Sequence, residues 1–325
     1  MKITKIKILT IIMLCLTLGM ASCKSKANEF DSSKTITRYS RDSESGTRDG
    51  FFTAIGFAEA AADDAKIPGY VRATDNANMI SLINNDEYGI GYIALASLKE
   101  SGLKAVNYEG ITPSEEVVIN GTYKLSRNFN YVTKASNDCT EDEWKLIRAF
   151  LLFTSSKEGI AIIKSKDGIT TTSIASSKSF EELLNQNENK DLKDICAINN
   201  GNKIEIKFGG STSVEKIAKA LTEAFAKHCP IFKPTHNHTG SGAAFKGTQG
   251  GEKNSVNSLH IGFLSREFSN TETPVEGTYG TICKDGIVVV VNTKNTLITN
   301  LTKEQLKNIY QTNSIKWSDI IGNVK

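Results

Sequence analysis

Apolar and polar positions follow two rhythms along this chain, and the rhythms take turns. Ile204-Glu-Ile-Lys-Phe208 has the period of two expected of a half-buried strand and ends on Gly209-Gly210. Directly after it Val214, Ile217, Ala218, Leu221 and Phe225 recur at helical spacing and stop near Pro230, so a strand, a Gly-Ser-Thr turn and a helix follow in order. Gly286-Ile-Val-Val-Val-Val-Asn292 is a continuous apolar run, which predicts a strand buried on both faces. Gly89-Ile-Gly-Tyr-Ile93 reads as another strand and Asn76 to Asn85 as another helix. Thr140-Glu-Asp-Glu143 and Thr302-Lys-Glu-Gln305 carry the capping-box pattern at the head of helical stretches. Strand and helix patterns in alternation define an α/β chain. Residues 171–203 are polar and rich in Ser, Asn and Lys, with a weak helical patch at Phe180 to Leu184, and they read as an internal linker.

The N-terminus has a different pattern. Lys2, Lys5 and Lys7 precede an apolar run from Ile8 to Leu18, and Met20-Ala21-Ser22 leads into Cys23. That is the layout of an export signal, residues 1–22, and its apolar run is too short to favour a transmembrane span. Leu18-Gly-Met-Ala-Ser-Cys23 resembles the bacterial lipobox, which implies cleavage before Cys23, lipidation of its thiol and attachment to the cell membrane on the periplasmic or outer face. Residues 23–33 are polar, as a tether would be.

Without residues 1–22 the chain carries 36 basic and 36 acidic side chains. Nucleic-acid binding usually shows as a basic excess, so none is expected, and any preference for anions has to be local. Cys139, Cys196, Cys229 and Cys283 could oxidise in an exported chain, but four cysteines allow three pairings. None of them has a C-x-x-C spacing, so no zinc site is expected.

Candidate chemistry lies in three turns. Ser45-Gly-Thr47, Gly209-Gly-Ser-Thr-Ser213 and Thr239-Gly-Ser-Gly242 each put hydroxyls and glycines before a predicted helix, where unpaired N–H groups and the helix dipole favour an oxyanion. One such turn alone is an ordinary Ser/Thr cap. Three in one chain, with Arg41 four residues before Ser45, suggest an anion site. Each charge-assisted hydrogen bond contributes roughly 1.5–3 kcal/mol and micromolar affinity needs about 8, so a handful of donors and one guanidinium suffice on a neutral protein.

Arg41-Asp-Ser-Glu-Ser-Gly-Thr-Arg48 with Phe51 resembles the R-E-x-G-S-G-T-R motif of the substrate-binding proteins of bacterial phosphate ABC transporters. The likeness continues through Tyr88-Gly-Ile-Gly-Tyr92, Asn120-Gly-Thr-Tyr-Lys-Leu-Ser-Arg127, Ser155-Ser-Lys-Glu-Gly159, Gly210-Ser-Thr-Ser213, Gly240-Ser-Gly242, Ile261-Gly-Phe-Leu-Ser-Arg-Glu267 and Leu301 to Tyr310 with Trp317. The order differs. In that family the Gly-Ser-Thr segment opens the protein and the Arg…Ser-Gly-Thr segment follows the Ile-Tyr…Trp segment. The chain therefore resembles a circular permutant, its old ends joined through residues 171–203.

The resemblance implies a two-lobed, type II periplasmic-binding-protein-like α/β fold, each lobe a mixed sheet flanked by helices, with the ligand in the cleft. One lobe would be continuous, residues 128–284; the other would combine 34–127 with 285–325. It implies inorganic phosphate as ligand, ABC permease subunits as partners, no cofactor and no covalent chemistry. The implied contacts are Arg41, Ser45, Gly46 and Thr47 from the split lobe and Thr212, Ser213, Ser241 and Ser265 from the continuous one. Arg266 is either a further contact or a surface charge. Some relatives have a proton-accepting aspartate where this chain has Ser265-Arg266-Glu267.

Other classes fit less well. Ser213-Val-Glu-Lys216 matches the S-x-x-K of acyl-serine enzymes, but so does Ser101-Gly-Leu-Lys104, and the S-D-N and K-T-G companions are missing. His236-Asn-His238 hints at a metal, although such a pair in a Thr/Asn/Gly turn is more often a solvated loop. A lipoprotein that senses an anion without transporting it, or that binds another tetrahedral oxyanion, is the alternative.

Overall fold

A computed structural model describes residues 30–322. The signal segment 1–22, the lipidation residue Cys23 and most of the tether lie outside the described residues. Among the described residues no helix is long and apolar enough to cross a membrane.

Ten strands form one sheet: β1 Thr37–Ser40, β2 Val71–Arg72, β3 Gly89–Ala94, β4 Lys104–Tyr108, β5 Ser126–Thr133, β6 Ile204–Gly210, β7 Phe232–Asn237, β8 Ile261–Leu264, β9 Tyr279–Val291 and β10 Asn300–Leu301. The order is β2-β1-β3-β9-β5-β8-β6-β7, with β4 paired to β9 and to β10. Both ends of this path are parallel: β1 with β2 and β3, β6 with β7 and β8. Its middle is antiparallel, β3 with β9, β9 with β5 and β5 with β8. Residues near either end of the described chain meet: Ile36 N–H donates to the Ile315 carbonyl at 2.9 Å and Trp317 N–H to the Lys34 carbonyl at 3.2 Å.

The apolar positions divide between separate cores. Tyr39, Met79, Ile83, Ile93, Val288 and Val290 form one, under the helix Asn76–Asn84. Phe129, Phe150, Phe153, Ile206, Phe208, Leu221, Phe225 and Phe263 belong to a larger one, between β5, β6, β8 and the helices Glu141–Thr154 and Glu215–His228. Strand β9 contributes to both, through Val288 and Val290 on one side and Cys283 on the other. Buried positions of β9 reach back past Gly286–Asn292, the apolar stretch that announces it, to Asp285 and, beyond exposed Lys284, to Cys283.

The predicted capping boxes form: Thr140 with Glu143 and Thr302 with Gln305 bond reciprocally. Residues 171–203 are more than a linker. They hold two helices, Phe180–Leu184 and Lys190–Ala197, and bury Phe180, Leu192, Ile195 and Cys196 in the larger core. Leu192, Ile195 and Cys196 have the i, i+3, i+4 spacing of an apolar stripe, too short to stand out from its polar surroundings. The four cysteines are free thiols; the Cys229 thiol is pushed up by hydrogen-bond contact with Cys196 and by burial.

Candidate oxyanion-binding site

Each segment predicted to hold an anion leaves a strand, turns and enters a helix. Strand β1 runs through Ser40 into the turn that carries Arg41, and the helix Gly46–Ala54 begins after Ser45. Ser45 acts as the cap: its hydroxyl accepts from Arg48 N–H at 3.4 Å. The other two segments differ. The helices Glu215–His228 and Gly242–Thr248 start without any side-chain cap bond, and Ser211 and Ser241 before them both bond to Ser265 instead.

The result is a cluster built from distant parts of the chain. Thr47 Oγ1 is 2.9 Å from Ser213 Oγ, and Ser213 N–H donates to Ser211 Oγ at 3.2 Å. Ser211 Oγ donates to Ser265 Oγ at 2.8 Å, which lies 3.2 Å from Ser241 Oγ. Ser265 N–H also donates to Ser241 Oγ at 3.0 Å. Ser45, Thr47, Ser211, Ser241 and Ser265 are buried, while Thr212 and Ser213 are half-buried.

Two glycines allow this approach. A Cβ on Gly46 would stand 2.4 Å from Ser241 Oγ and 2.6 Å from Ser265 Oγ. Gly210 has φ +92° and packs where a Cβ would meet the Phe263 carbonyl oxygen at 2.3 Å. No other residue fits both the dihedral and the space.

Arg41 supplies the charge. It is 2 % exposed, and its Nη2 donates to Thr212 Oγ1 at 3.2 Å, but its Nε and Nη1 are buried without a partner. Burial lowers its pKa, with Tyr92, Asp42 and Asp75 opposing that shift. A buried guanidinium with two unmade hydrogen bonds is costly, and an anion in front of it removes the cost.

Arg127 was missed as a site residue. It is the second residue of β5, opposite Asp285 of β9, and the two form a buried ion pair, Nη2 to Oδ2 at 2.8 Å. The same guanidinium donates to Ser213 Oγ at 3.3 Å and to the Ser265 carbonyl at 3.3 Å. Burial raises the Asp285 pKa and Arg127 opposes the shift. In the sequence Arg127 closes the Asn120–Arg127 segment of the resemblance, but nothing local marks its guanidinium as part of the site.

Several predicted or adjacent charges face elsewhere. Arg266 does not join the hydroxyls: its guanidinium takes the Glu272 carboxylate with two bonds of 2.6 and 2.9 Å. Glu267 accepts from the Asn128 and Asn130 side chains on β5, at 3.0 and 3.3 Å. Arg48 is wholly buried on the carbonyls of Ala60 and Arg41 and the Asp64 carboxylate. Glu44 lies against the start of the helix Gly242–Thr248, where Gly242 N–H donates to its carbonyl at 3.3 Å. Thr212 and Ser213 also border a cavity of about 690 Å³ lined by Asp75, Glu100, Lys216 and His238 among others. Among the described residues no cluster of three or more His, Cys, Asp or Glu is placed to hold a metal ion.

Residues 169–325 match the PBP superfamily domain. With this match and the likeness to a solved structure below, the fold is of the type II periplasmic-binding-protein class. The chain is similar over nearly its full length to phosphate-binding protein PstS 2 of Streptococcus agalactiae serotype V, 27 % identical over 326 residues that cover 97 % of this chain and 99 % of that one. It is 28 % identical to phosphate-binding protein PstS 2 of Streptococcus pneumoniae serotype 4 over 310 residues, 93 % of this chain and 94 % of the relative. The crystal structure of a phosphate ABC transporter phosphate-binding protein from Streptococcus pneumoniae TIGR4 superposes with a TM-score of 0.62 at 24 % identity, covering 88 % of this chain and all of that one.

Proposed function

We propose that this protein binds inorganic phosphate outside the cytoplasm and delivers it to an ABC permease for import, held to the membrane by a lipid on Cys23. The observation that carries the reading is Arg41, buried with Nη2 on the Thr212 hydroxyl and Nε and Nη1 unpartnered, while Ser213, next after Thr212, meets the Thr47 hydroxyl. A tetrahedral oxyanion is the ligand that satisfies such a set: several acceptor oxygens, one charge-compensating guanidinium and short hydroxyl donors on more than one side. The names of the relatives support phosphate as that oxyanion.

In this reading residues 34–127 with 285–325 and residues 128–284 are lobes that close on the ligand, and β5 and β9, shared by both, carry the hinge. Arg41, Ser45, Gly46 and Thr47 line one wall; Thr212, Ser213, Ser241 and Ser265 line the other. Arg127 holds Ser213 and Ser265 in place across the junction, and Arg266, held by Glu272, is left out of the ligand shell. The protein performs capture and release, with no bond made or broken. Calorimetric titration with phosphate, arsenate and sulfate tests this. Binding of phosphate and arsenate with sulfate rejected supports phosphate import; no phosphate binding below millimolar by a folded, monodisperse sample rules it out.

A further inference from the structure

Behind the Gly209–Ser213 turn two histidines stand in series. Thr222 Oγ1 is 2.9 Å from His236 Nε2, His236 Nδ1 is 3.1 Å from His238 Nε2, and His238 Nδ1 is 3.0 Å from the Ser211 carbonyl oxygen. The rings are held flat in a stack, Phe208 on His236 at 5.2 Å, His236 on His238 at 5.4 Å and His238 on Phe263 at 6.2 Å. A carbonyl only accepts, so His238 carries its proton on Nδ1 and, when neutral, accepts on Nε2. His236 must then donate from Nδ1 and accept the Thr222 hydroxyl on Nε2. The neutral chain has this one direction.

The chain also has room for one more proton. The Thr222 hydroxyl lies 3.0 Å from the Lys219 carbonyl as well. Turned toward that carbonyl, it accepts from a protonated His236 Nε2, and every other bond stays in place. The proton can equally reside on His238, with His236 shifting to its Nε2–H tautomer. A second proton would set two N–H groups against each other across 3.1 Å.

The inner end of this chain is the oxyanion cluster itself. Ser211, whose carbonyl His238 holds, donates its hydroxyl to Ser265 and accepts from Ser213 N–H. We infer that His236 and His238 are positioning residues of the oxyanion site, which hold the Ser211–Ser213 turn and take up one proton when the anion binds. This rests on the oxyanion reading above.

The surrounding charges fit such a coupling. The helix Glu215–His228 presents Glu215, Lys216 and Lys219 to the pair, with Lys219 on Glu215 at 2.6 Å. Lys207 of β6 borders His236, and Asp75, Glu100 and Lys166 face His238 across the 690 Å³ cavity. Arg41 and Arg127 lie on the cluster side. Burial first, then His238 and Lys219, hold His236 down at about 4, and burial lowers His238 against the pull of Glu215. An anion beyond Ser211 adds negative charge on the cluster side, where Arg41 and Arg127 stand. Its arrival raises the proton affinity of the pair, and by reciprocity the proton raises the affinity for the anion.

Nitrogen-15 imidazole spectra of the protein, titrated from acid to neutral pH with and without saturating inorganic phosphate, test this. The expected result is two Nδ1–H tautomers at neutral pH, and a first protonation midpoint that phosphate raises by about one pH unit, a tenfold gain in proton affinity. A midpoint unmoved while the Ser211–Ser213 amides respond to phosphate overturns the inference, as does an Nε2–H tautomer on neutral His238. Phosphate that shifts no signal at all removes the oxyanion reading and this inference with it. His236→Phe keeps a ring in the stack and breaks the relay. The affinity ratio of wild type to this variant, in which the ionisation of phosphate cancels, should be severalfold larger at mildly acidic than at neutral pH; equal ratios overturn the coupling.

Discussion

The segment from Ser40 to Phe52 and the segment from Ile204 to Glu215 have the same outline, a strand, a turn rich in Gly and Ser, and a helix, yet they use their hydroxyls differently. In the first, Ser45 satisfies its own helix by accepting from Arg48 N–H. In the second, the helix after Ser213 starts without a side-chain cap, and Ser211 and Ser213 reach Ser265, Thr47 and Arg127 instead. A small hydroxyl before a helix is therefore no sign of a ligand by itself. What distinguishes a site is a polar atom that local structure leaves uncommitted, and Arg41 has two.

The comparison can be broken at several points. The largest effect is expected at Arg41. Arg41→Ala removes two or more charge-assisted bonds worth roughly 1.5–3 kcal/mol each, so phosphate affinity should fall by about a hundredfold or more in a calorimetric titration. An unchanged affinity would mean the uncommitted guanidinium is not the anion's partner.

Acid should act on the second segment. His236 sits at about 4 in the folded chain, against about 6.5 when unfolded. Between those values the unfolded chain binds more protons, so stability rises with pH across the window and falls on acidification, by at most about 3 kcal/mol. Urea unfolding midpoints at both ends of the window check this. His236→Phe should lose less on acidification than wild type, and an equal loss would remove His236 as its source.

Gly46→Ala tests the contact between segments. The added methyl meets Ser241 and Ser265 oxygens, and the affinity should drop about tenfold, near 1.4 kcal/mol. If binding is untouched, the two walls do not approach in the bound form as they do here. The smallest effects separate the two uses of serine. Ser45 lines the wall but has its hydroxyl committed to Arg48 N–H, so Ser45→Ala should cost about 1 kcal/mol of folding stability as a lost cap and change phosphate binding less than Ser213→Ala does. Ser213→Ala should leave the unfolding midpoint in place and weaken phosphate binding by about 1 kcal/mol. Thermal unfolding and calorimetry on the same pair decide it, and the reverse pattern would exchange the roles of the two segments.

Much of the fold was legible because its elements carry local signals. The capping boxes at Thr140 and Thr302 and the apolar run into β9 need no tertiary context. The helix Lys190–Ala197 was not legible, since its buried face is only Leu192, Ile195 and Cys196 amid charged residues. In the hydroxyl cluster, turn chemistry points to Thr47, Ser213 and Ser241, which the structure brings together, whereas Ser45 caps its own helix. Arg127 stayed hidden because its role depends on Asp285, 158 positions away in the chain. Arg266 was ambiguous for another reason: several carboxylates lie close by in sequence, and of these Glu267 bonds to β5 while Glu272 takes its charge.

The central claim is that an oxyanion sits against Arg41. A crystal structure with arsenate, located by the anomalous scattering of arsenic, tests it most directly. The account predicts one arsenic peak with oxygens in hydrogen-bond reach of Arg41 Nε and Nη1 and of the Thr47 and Ser213 hydroxyls. A peak elsewhere in the cleft, or none with Arg41 still buried, would contradict it.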